Sequence, residues 1–410
     1  MVYLLNYSYF RSENIEFDDL FIEINGKQNL SFSNGYFVYR CENMNKFFKF
    51  VIKLLINLLI ILFFCEFLIY YIVIFQCNYK NIESENITDG LKAVILADTH
   101  LLGPFKGHPV DKLRREWQMK RSFQTTMQIF NPEVVFILGD VFDEGNWVND
   151  KGFQEYVDRF HTIFSVREST RLYAIHGNHD VNFHYSMHPH LVNRFNAAFN
   201  TSSVSLIREV VTTVDGRKAI NFVTLNSMAM EGDDCNLCYE AKESIKSIKK
   251  KLDQLKARDR YTKPFIMQHF PTFRPSDENC LETDSVNSGK FREKWEVLSK
   301  EASNFIEKML DPRGYFSGHS HYYCLHENAA GIKEYTLSSF NWRNGNNPSF
   351  MLAIFTPDEY TMSKCDMPKE TTVIICYIVG TILSIVFAII DERVFNYLRR
   401  KNSQRKVNKD

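Results

Sequence analysis

Two long apolar runs, residues 54–75 and 371–390, frame this chain, and short apolar and polar stretches alternate between them. Each run reaches the roughly 20 residues that a helix needs to cross a hydrocarbon core. Apolarity on every face over that length predicts two membrane-spanning helices rather than core helices of a soluble protein. Glu66 within the first run is a cost that such a span must offset. The run is also too long and too far from the start for a cleaved signal peptide.

Between the runs the pattern has a repeated grammar of an apolar run, a polar cluster and a helix-like stretch. The runs at 93–97, 134–138, 172–175, 222–225, 265–267 and 335–337 predict buried strands. The stretches 111–130, 152–164, 190–199, 240–257 and 290–310 predict helices. Strands alternating with helices predict an α/β fold, and no linker divides 91–365, so one domain is expected there. Residues 1–46 show no periodicity and read as a disordered cytosolic tail or an over-long start, with Met44 just ahead of the basic and apolar pattern of an anchor. Residues 391–410 form a basic tail.

Charge adds a topology. Lys+Arg and Asp+Glu are both 49, which provides no global attraction to nucleic acid. Lys46, Lys49 and Lys53 precede the first run, and Arg393, Arg399, Arg400 and Lys401 follow the second. The positive-inside rule then predicts cytosolic termini and a lumenal segment 76–370. The sequons at Asn86 and Asn200 are compatible with that side. So are Cys77, Cys235, Cys238, Cys280, Cys324 and Cys365, which an oxidising lumen permits to pair. Cys235-x-x-Cys238 has no second CxxC, so a local disulfide or free thiols are expected rather than a zinc site.

Five polar clusters follow apolar runs, and they carry the chemistry. They are Asp98-x-His100, Gly139-Asp140-x-x-Asp143, Gly177-Asn178-His179-Asp180, His269 after Gln268, and Gly318-His319-x-His321. In α/β sheets, ligands bind beyond the carboxyl ends of strands. Alternate residues share a face, so Asp-x-His and His-x-His aim both side chains one way. Glycines ahead of Asp140, Asn178 and His319 are expected to permit sharp turns. Carboxylate, imidazole and amide ligands without thiolates suit catalytic Mn²⁺, Fe²⁺ or Zn²⁺ rather than structural zinc. His176, His184, His188 and His190 read as structural or surface residues.

These five blocks together resemble the calcineurin-like metallophosphoesterases. The resemblance implies a sandwich of two mixed sheets flanked by helices, with a dinuclear centre. It implies one metal on Asp98, His100, Asp140 and His321, and a second on Asp140, Asn178, His269 and His319, with Asp140 bridging. It further implies His179 as the group that contacts phosphate and protonates the leaving group, with Asp143 orienting it.

The anchor FCEFLIYYIVIFQCN, the stretch LLGPFKGHPVDKLRREWQM and the segment RNGNNPSF resemble a membrane-bound branch of that family that remodels glycosylphosphatidylinositol (GPI) anchors. That resemblance implies a manganese-dependent phosphodiesterase that removes a side-branch ethanolamine-phosphate from a GPI mannose. It places the protein at endoplasmic reticulum exit sites, the intermediate compartment and the cis-Golgi. GPI-anchored proteins would be the substrates, with cargo receptors or transport machinery as further partners. The alternatives at this stage are a lumenal phosphoesterase for another lipid or nucleotide, and a non-catalytic receptor with a phosphoesterase-like domain. Every ligand position is filled, which argues against the receptor.

Overall fold

The computed structural model describes residues 30–33, 36–39, 46–82, 90–213, 216–232, 235–257, 262–285 and 289–407. The chain divides into two units, residues 61–378 and the flanks 1–60 with 379–410. Asn86 lies outside the described residues.

In the larger unit, two mixed sheets with helices form the α/β arrangement that the resemblance implies. The five-stranded sheet runs Tyr360–Asp366, Ser349–Phe355, Leu91–Leu96, Val134–Ile137, Arg171–Ala174. Its last three strands are parallel, whereas Ser349–Phe355 is antiparallel to both neighbours. The seven-stranded sheet carries a parallel centre, Gly216–Leu225, Phe265–Gln268, Gly314–Ser317 and Lys333–Thr336, with antiparallel strands at both edges. Central strands such as Val134–Ile137 (VVFI) are buried on both faces, which is why they read as unbroken apolar runs. Ala93 and Ile95 face the other sheet, in one core with Phe136, Phe222, Phe265 and Phe316. Val94 and Leu96 join the second core, with Met119, Phe123 and Phe160 of the covering helices. Burying each of these large side chains contributes roughly 1.5–3 kcal/mol.

The elements depart from the predicted pattern in several places. The stretch 290–310 is helical only over Lys300–Leu310, because the Ser299 hydroxyl accepts from the Ala302 amide and caps the helix there. The run 222–225 is the end of a ten-residue strand, Gly216–Leu225, paired along its length with Val204–Thr213. Ser349–Phe355 and Tyr360–Asp366 come in addition to the predicted strands and close the first sheet. Cys235–Cys238 and Cys280–Cys324 are disulfides, so CxxC is a local clasp at the start of the helix Asn236–Lys256.

Two apolar helical stretches, Phe50–Ile74 and Glu370–Asp391, are long and apolar enough to cross a membrane. Within the larger unit the first does not stay free of the domain to its end. Cys65, Ile69, Tyr70 and Ile74 are buried, Phe67 meets Trp117 edge-on, and Tyr71 donates to Gln128. Glu66 sits in a π-helical turn, Phe64–Leu68, half-buried, and accepts a hydrogen bond from the Tyr377 hydroxyl, which offsets the cost of a carboxylate in apolar surroundings. In the smaller unit, Lys53 pairs with Asp391, and Leu30–Ser33 pairs with Tyr36–Tyr39 in a hairpin. That hairpin falls within the segment 1–46, where the sequence shows no periodicity.

Candidate metal centre

The five polar clusters all sit where strands of the two sheets end. Asp98 and His100 follow Leu91–Leu96, Asp140 and Asp143 follow Val134–Ile137, and Asn178 and His179 follow Arg171–Ala174. From the other sheet, His269 follows Phe265–Gln268, and His319 and His321 follow Gly314–Ser317. Asp98, His100, Asp140, His319 and His321 all have left-handed backbone, with φ between 41° and 71°. Such conformations cost of order 1–3 kcal/mol each and persist where surrounding contacts impose them. Here Asp98 accepts two contacts from the His319 amide at 3.0 and 3.2 Å, tying the first block to the last.

Ligand atoms converge in groups that share Asp140. Asp98, His100, Asp140 and His321 place one donor atom each within 4.8 Å of one another, and so do Asp140, His269 and His319. Asn178 joins the second group, with Oδ1 3.1 Å from His269 Nε2. The separations are those of atoms around a common ion. His100 Nε2 lies 3.2 Å from His321 Nε2 and 3.5 Å from Asp140 Oδ2, and His321 Nε2 lies 3.5 Å from Asp98 Oδ1. Two ligands each about 2.1 Å from one ion at tetrahedral angles lie about 3.4 Å apart. The Asp277, Cys280 and Cys324 cluster is no rival, since its thiols are joined to each other.

Tautomers follow from the neighbours. His269 Nδ1 meets the Leu138 carbonyl at 2.7 Å, so it carries the proton, and Nε2 faces Asp140 at 3.3 Å. His319 Nε2 donates to the Trp295 carbonyl at 2.7 Å, leaving Nδ1 for the centre. Carbonyl partners of this kind fix ring orientation at metal sites.

The electrostatics also fit divalent cations. Burial pushes Asp98 up to about 8, and the nearby Asp140 charge adds to the effect. Asp180 is likewise pushed up to about 8 by burial and by Asp140. Burial together with His269 holds His319 down to about 3, and burial also depresses His100 and His321. His269 is the exception: against its burial, the Asp140 and Asp98 carboxylates raise it to about 9, and it holds Asp140 low in turn, so the buried carboxylates call for a positive charge of the kind a cation supplies.

The structure adds detail to one expectation and corrects another. His179 Nδ1 donates to the main-chain carbonyl of Asp143 at 2.8 Å, while the Asp143 carboxylate lies 3.7 Å away. The same carboxylate oxygen, Oδ1, lies 3.3 Å from His100 Nδ1, so the carboxylate stands between the two rings. The glycines differ too. Gly139 has φ +85°, but Gly177 and Gly318 are needed for space: a Cβ on Gly177 would stand 2.0 Å from the Asp140 amide nitrogen.

Several supporting residues were outside the sequence reading. Asp180, although part of the GNHD block, accepts the amides of Val141, Phe142 and Gly177 and clasps two ligand loops together. Ser339 and Asn341 donate to the main-chain carbonyls of Asp98, Thr99 and His100. Nothing in their spacing marks them, because they act on backbone far away in sequence. A cavity of about 320 Å³ adjoins the second group, lined by Asp277, Lys290, Phe291, Glu296, His319 and Tyr322.

The neighbouring histidines are not ligands. His188 caps the helix Pro189–Phe199, and His190 lies 2.8 Å from Asp150. His184 belongs to none of the metal-ligand groups among the described residues. His176 is buried against Phe195 and bonded to Asn196 at 2.7 Å, and burial lowers it to about 4, against the opposing pull of Asn196. The unfolded chain binds a proton on His176 more readily than the native one. Stability from this group is therefore present above pH 6.5 and lost as the pH falls toward about 4, on the order of 3 kcal/mol in all. His176→Gln should flatten the pH dependence of the chemical-denaturation midpoint in that window; an unchanged slope would contradict the assignment.

Comparison with known proteins identifies the family. The calcineurin-like phosphoesterase family model matches residues 91–323, which span all five blocks. This chain belongs to that family. It is 44% identical over 374 residues to the Metallophosphoesterase 1 homolog of Drosophila melanogaster, covering 88% of this chain and 99% of that one. It is 40% identical over 359 residues to Metallophosphoesterase 1 of Ailuropoda melanoleuca, covering 83% and 89%. Among solved structures it is similar to a dimetal phosphatase from Danio rerio, at 14% identity and a TM-score of 0.45, covering 68% and 97%. The calcineurin-like phosphoesterase described here is a metal-dependent phosphoesterase with a dinuclear centre for divalent ions.

Proposed function

We propose that this phosphoesterase is a manganese-dependent phosphodiesterase of the secretory pathway that removes a side-branch ethanolamine-phosphate from a mannose of GPI anchors. The observation that carries the reading is its likeness along most of its length to the Metallophosphoesterase 1 relatives. Two further features support it. The domain contains two disulfides, which suit an oxidising lumen, and it lies between two helices apolar enough to span a membrane. Asn200 of the second sequon is exposed at the end of its helix. In this reading residues 54–75 and 371–390 cross the membrane, 91–365 are lumenal, and both termini are cytosolic. Endoplasmic reticulum exit sites, the intermediate compartment and the cis-Golgi are the proposed locations, and GPI-anchored proteins with their transport machinery the proposed partners.

The geometry supports the following roles. Asp98, His100, Asp140 and His321 would hold one ion, and Asp140, Asn178, His269 and His319 the other. When bound, the ions supply Lewis-acid stabilisation of the phosphoryl oxygens. His179 has its Nδ1 proton fixed by the Asp143 carbonyl and about a third of its side chain exposed, so Nε2 is the atom that holds and delivers the leaving-group proton. Asp143 acts on His100, setting its tautomer and ring orientation.

Mass spectrometry of GPI glycans from cells lacking the protein tests the substrate. An additional ethanolamine-phosphate on mannose is expected, reversed by the wild-type chain and not by an Asp140 variant. Unchanged glycans would remove the substrate claim.

A further inference from the structure

One short segment joins the metal centre to the apolar helices. Residues 339–343 follow the strand Lys333–Thr336, and three of their side chains face different partners. Asn341 Nδ2 donates to the Thr99 carbonyl at 2.8 Å and to that of His100 at 3.3 Å, while its Oδ1 accepts the Arg343 amide at 3.0 Å. Trp342 is buried with Cys65, Ile69 and Tyr70 of the first apolar helix and Val373 of the second. Its Nε1 donates to the Pro368 carbonyl at 2.7 Å, and Arg114, paired with Glu370, lies 5.2 Å over its ring. Arg343 comes next, and its Nη1 lies 2.5 Å from Asp143 Oδ2.

The placement of Arg343 is unusual for a structural ion pair. Nη1 is buried but makes no aligned hydrogen bond, and Asp143 Oδ2 is in the same position. Asp143 is also shared by Lys106, whose Nζ is 3.5 Å from Oδ2 and 4.3 Å from the Trp147 ring centre. The adjacent carboxylate, Glu144, is occupied by the amides of Phe105 and Lys106. Two permanent cations thus address one carboxylate beside His100 and His179, and both remain about 30% exposed, at 27% and 31%. The opening for an anion comes from the exposed donors of these two cations, which Asp143 does not exhaust. A phosphodiester is such an anion, and a guanidinium fork matches two of its oxygens.

We propose that Arg343, positioned by Trp342 in the base of the two apolar helices, binds the non-bridging oxygens of the substrate phosphodiester, with Lys106 as the second cation. The membrane anchor then sets a specificity-determining side chain of the centre. This deepens the phosphodiesterase reading and rests on it, but not on the identity of the glycan.

The test uses the full chain in detergent micelles, loaded with Mn²⁺. Two quantities are read: the Kd of inorganic phosphate by calorimetry, and KM and kcat for bis(p-nitrophenyl) phosphate. Arg343→Gln is expected to raise Kd and KM together by roughly 10- to 100-fold, with kcat and bound manganese nearly unchanged. Arg343→Lys should recover part of the loss, since the charge remains and the fork does not. Trp342→Ala should reproduce the Arg343→Gln effect, and the double variant should be no worse than Arg343→Gln alone. Should Trp342→Ala fail to fold, Trp342→Leu, which fills the site but lacks the Nε1 proton, carries the same comparison. Unchanged phosphate affinity in Arg343→Gln overturns the phosphate contact. Additive losses in the double variant overturn the anchor link. If the Arg343 effects appear while the GPI glycans of null cells are unchanged, the substrate reading fails and this one stands.

Discussion

Asp140→Ala should lower metal-dependent diester hydrolysis by at least about 10³-fold, and should release both ions rather than one. Asp140 belongs to both ligand groups, with Oδ2 3.5 Å from His100 and Oδ1 3.3 Å from His269. It also accepts the amide of His179 at 2.9 Å, so its loss frees the proton donor as well. Two cations a few Å apart repel strongly in a dry site, and a shared anion offsets that repulsion. Asp140→Asn keeps the shape and removes the charge, so it separates packing from electrostatics. Elemental analysis of the purified variants gives the ion count. Retention of two ions with substantial activity would sink the bridging assignment.

Gly177→Ala should be nearly as damaging, although glycine carries no chemistry. Its added Cβ would lie 2.0 Å from the Asp140 amide nitrogen, 2.2 Å from Asp140 Oδ1 and 2.7 Å from Asp140 Cα. Those are mainly backbone contacts, and Asp180 ties the Gly177 amide to those of Val141 and Phe142, so neither loop can simply withdraw. Overpacking of this kind costs typically about 1–3 kcal/mol, and here it displaces the shared ligand. The expected result is a folded protein with a lowered melting temperature, weak metal binding and at least about 10²-fold less activity. Wild-type metal affinity in Gly177→Ala would show that the loops yield more easily than their hydrogen bonds suggest.

The ligand set was legible from the sequence because each of its members follows a strand, buried in every case but the edge strand Arg171–Ala174. Val134–Ile137 ends three residues before Asp140, and Gly314–Ser317 ends two before His319, so apolar run and motif announce each other. A resemblance to a known family assigned the residues to two ions, and converging distances at Asp140 give that assignment its geometry. Local rules did less well where longer contacts compete. A helix over 290–310 satisfies the apolar pattern, yet the cap at Ser299 and the Ser299 amide's bond to Glu231 at 2.9 Å begin it at Lys300. The resemblance makes Asp143 the orienter of His179; only the fold shows that its carbonyl accepts from His179 while its carboxylate also lies 3.3 Å from His100.

By itself the sequence determined the alternation of strands and helices, the metal-ligating residue types and two helices apolar enough to span a membrane. These depend on periodicity and on residues close together in the chain, where geometry is nearly fixed. Only the tertiary structure decided which atoms share an ion, why Gly177 must lack a side chain, and that Trp342 packs on the apolar helices beside Arg343 at the centre. Those features join residues up to hundreds of positions apart, as with Asp98 and His319, and no local pattern encodes such a distance.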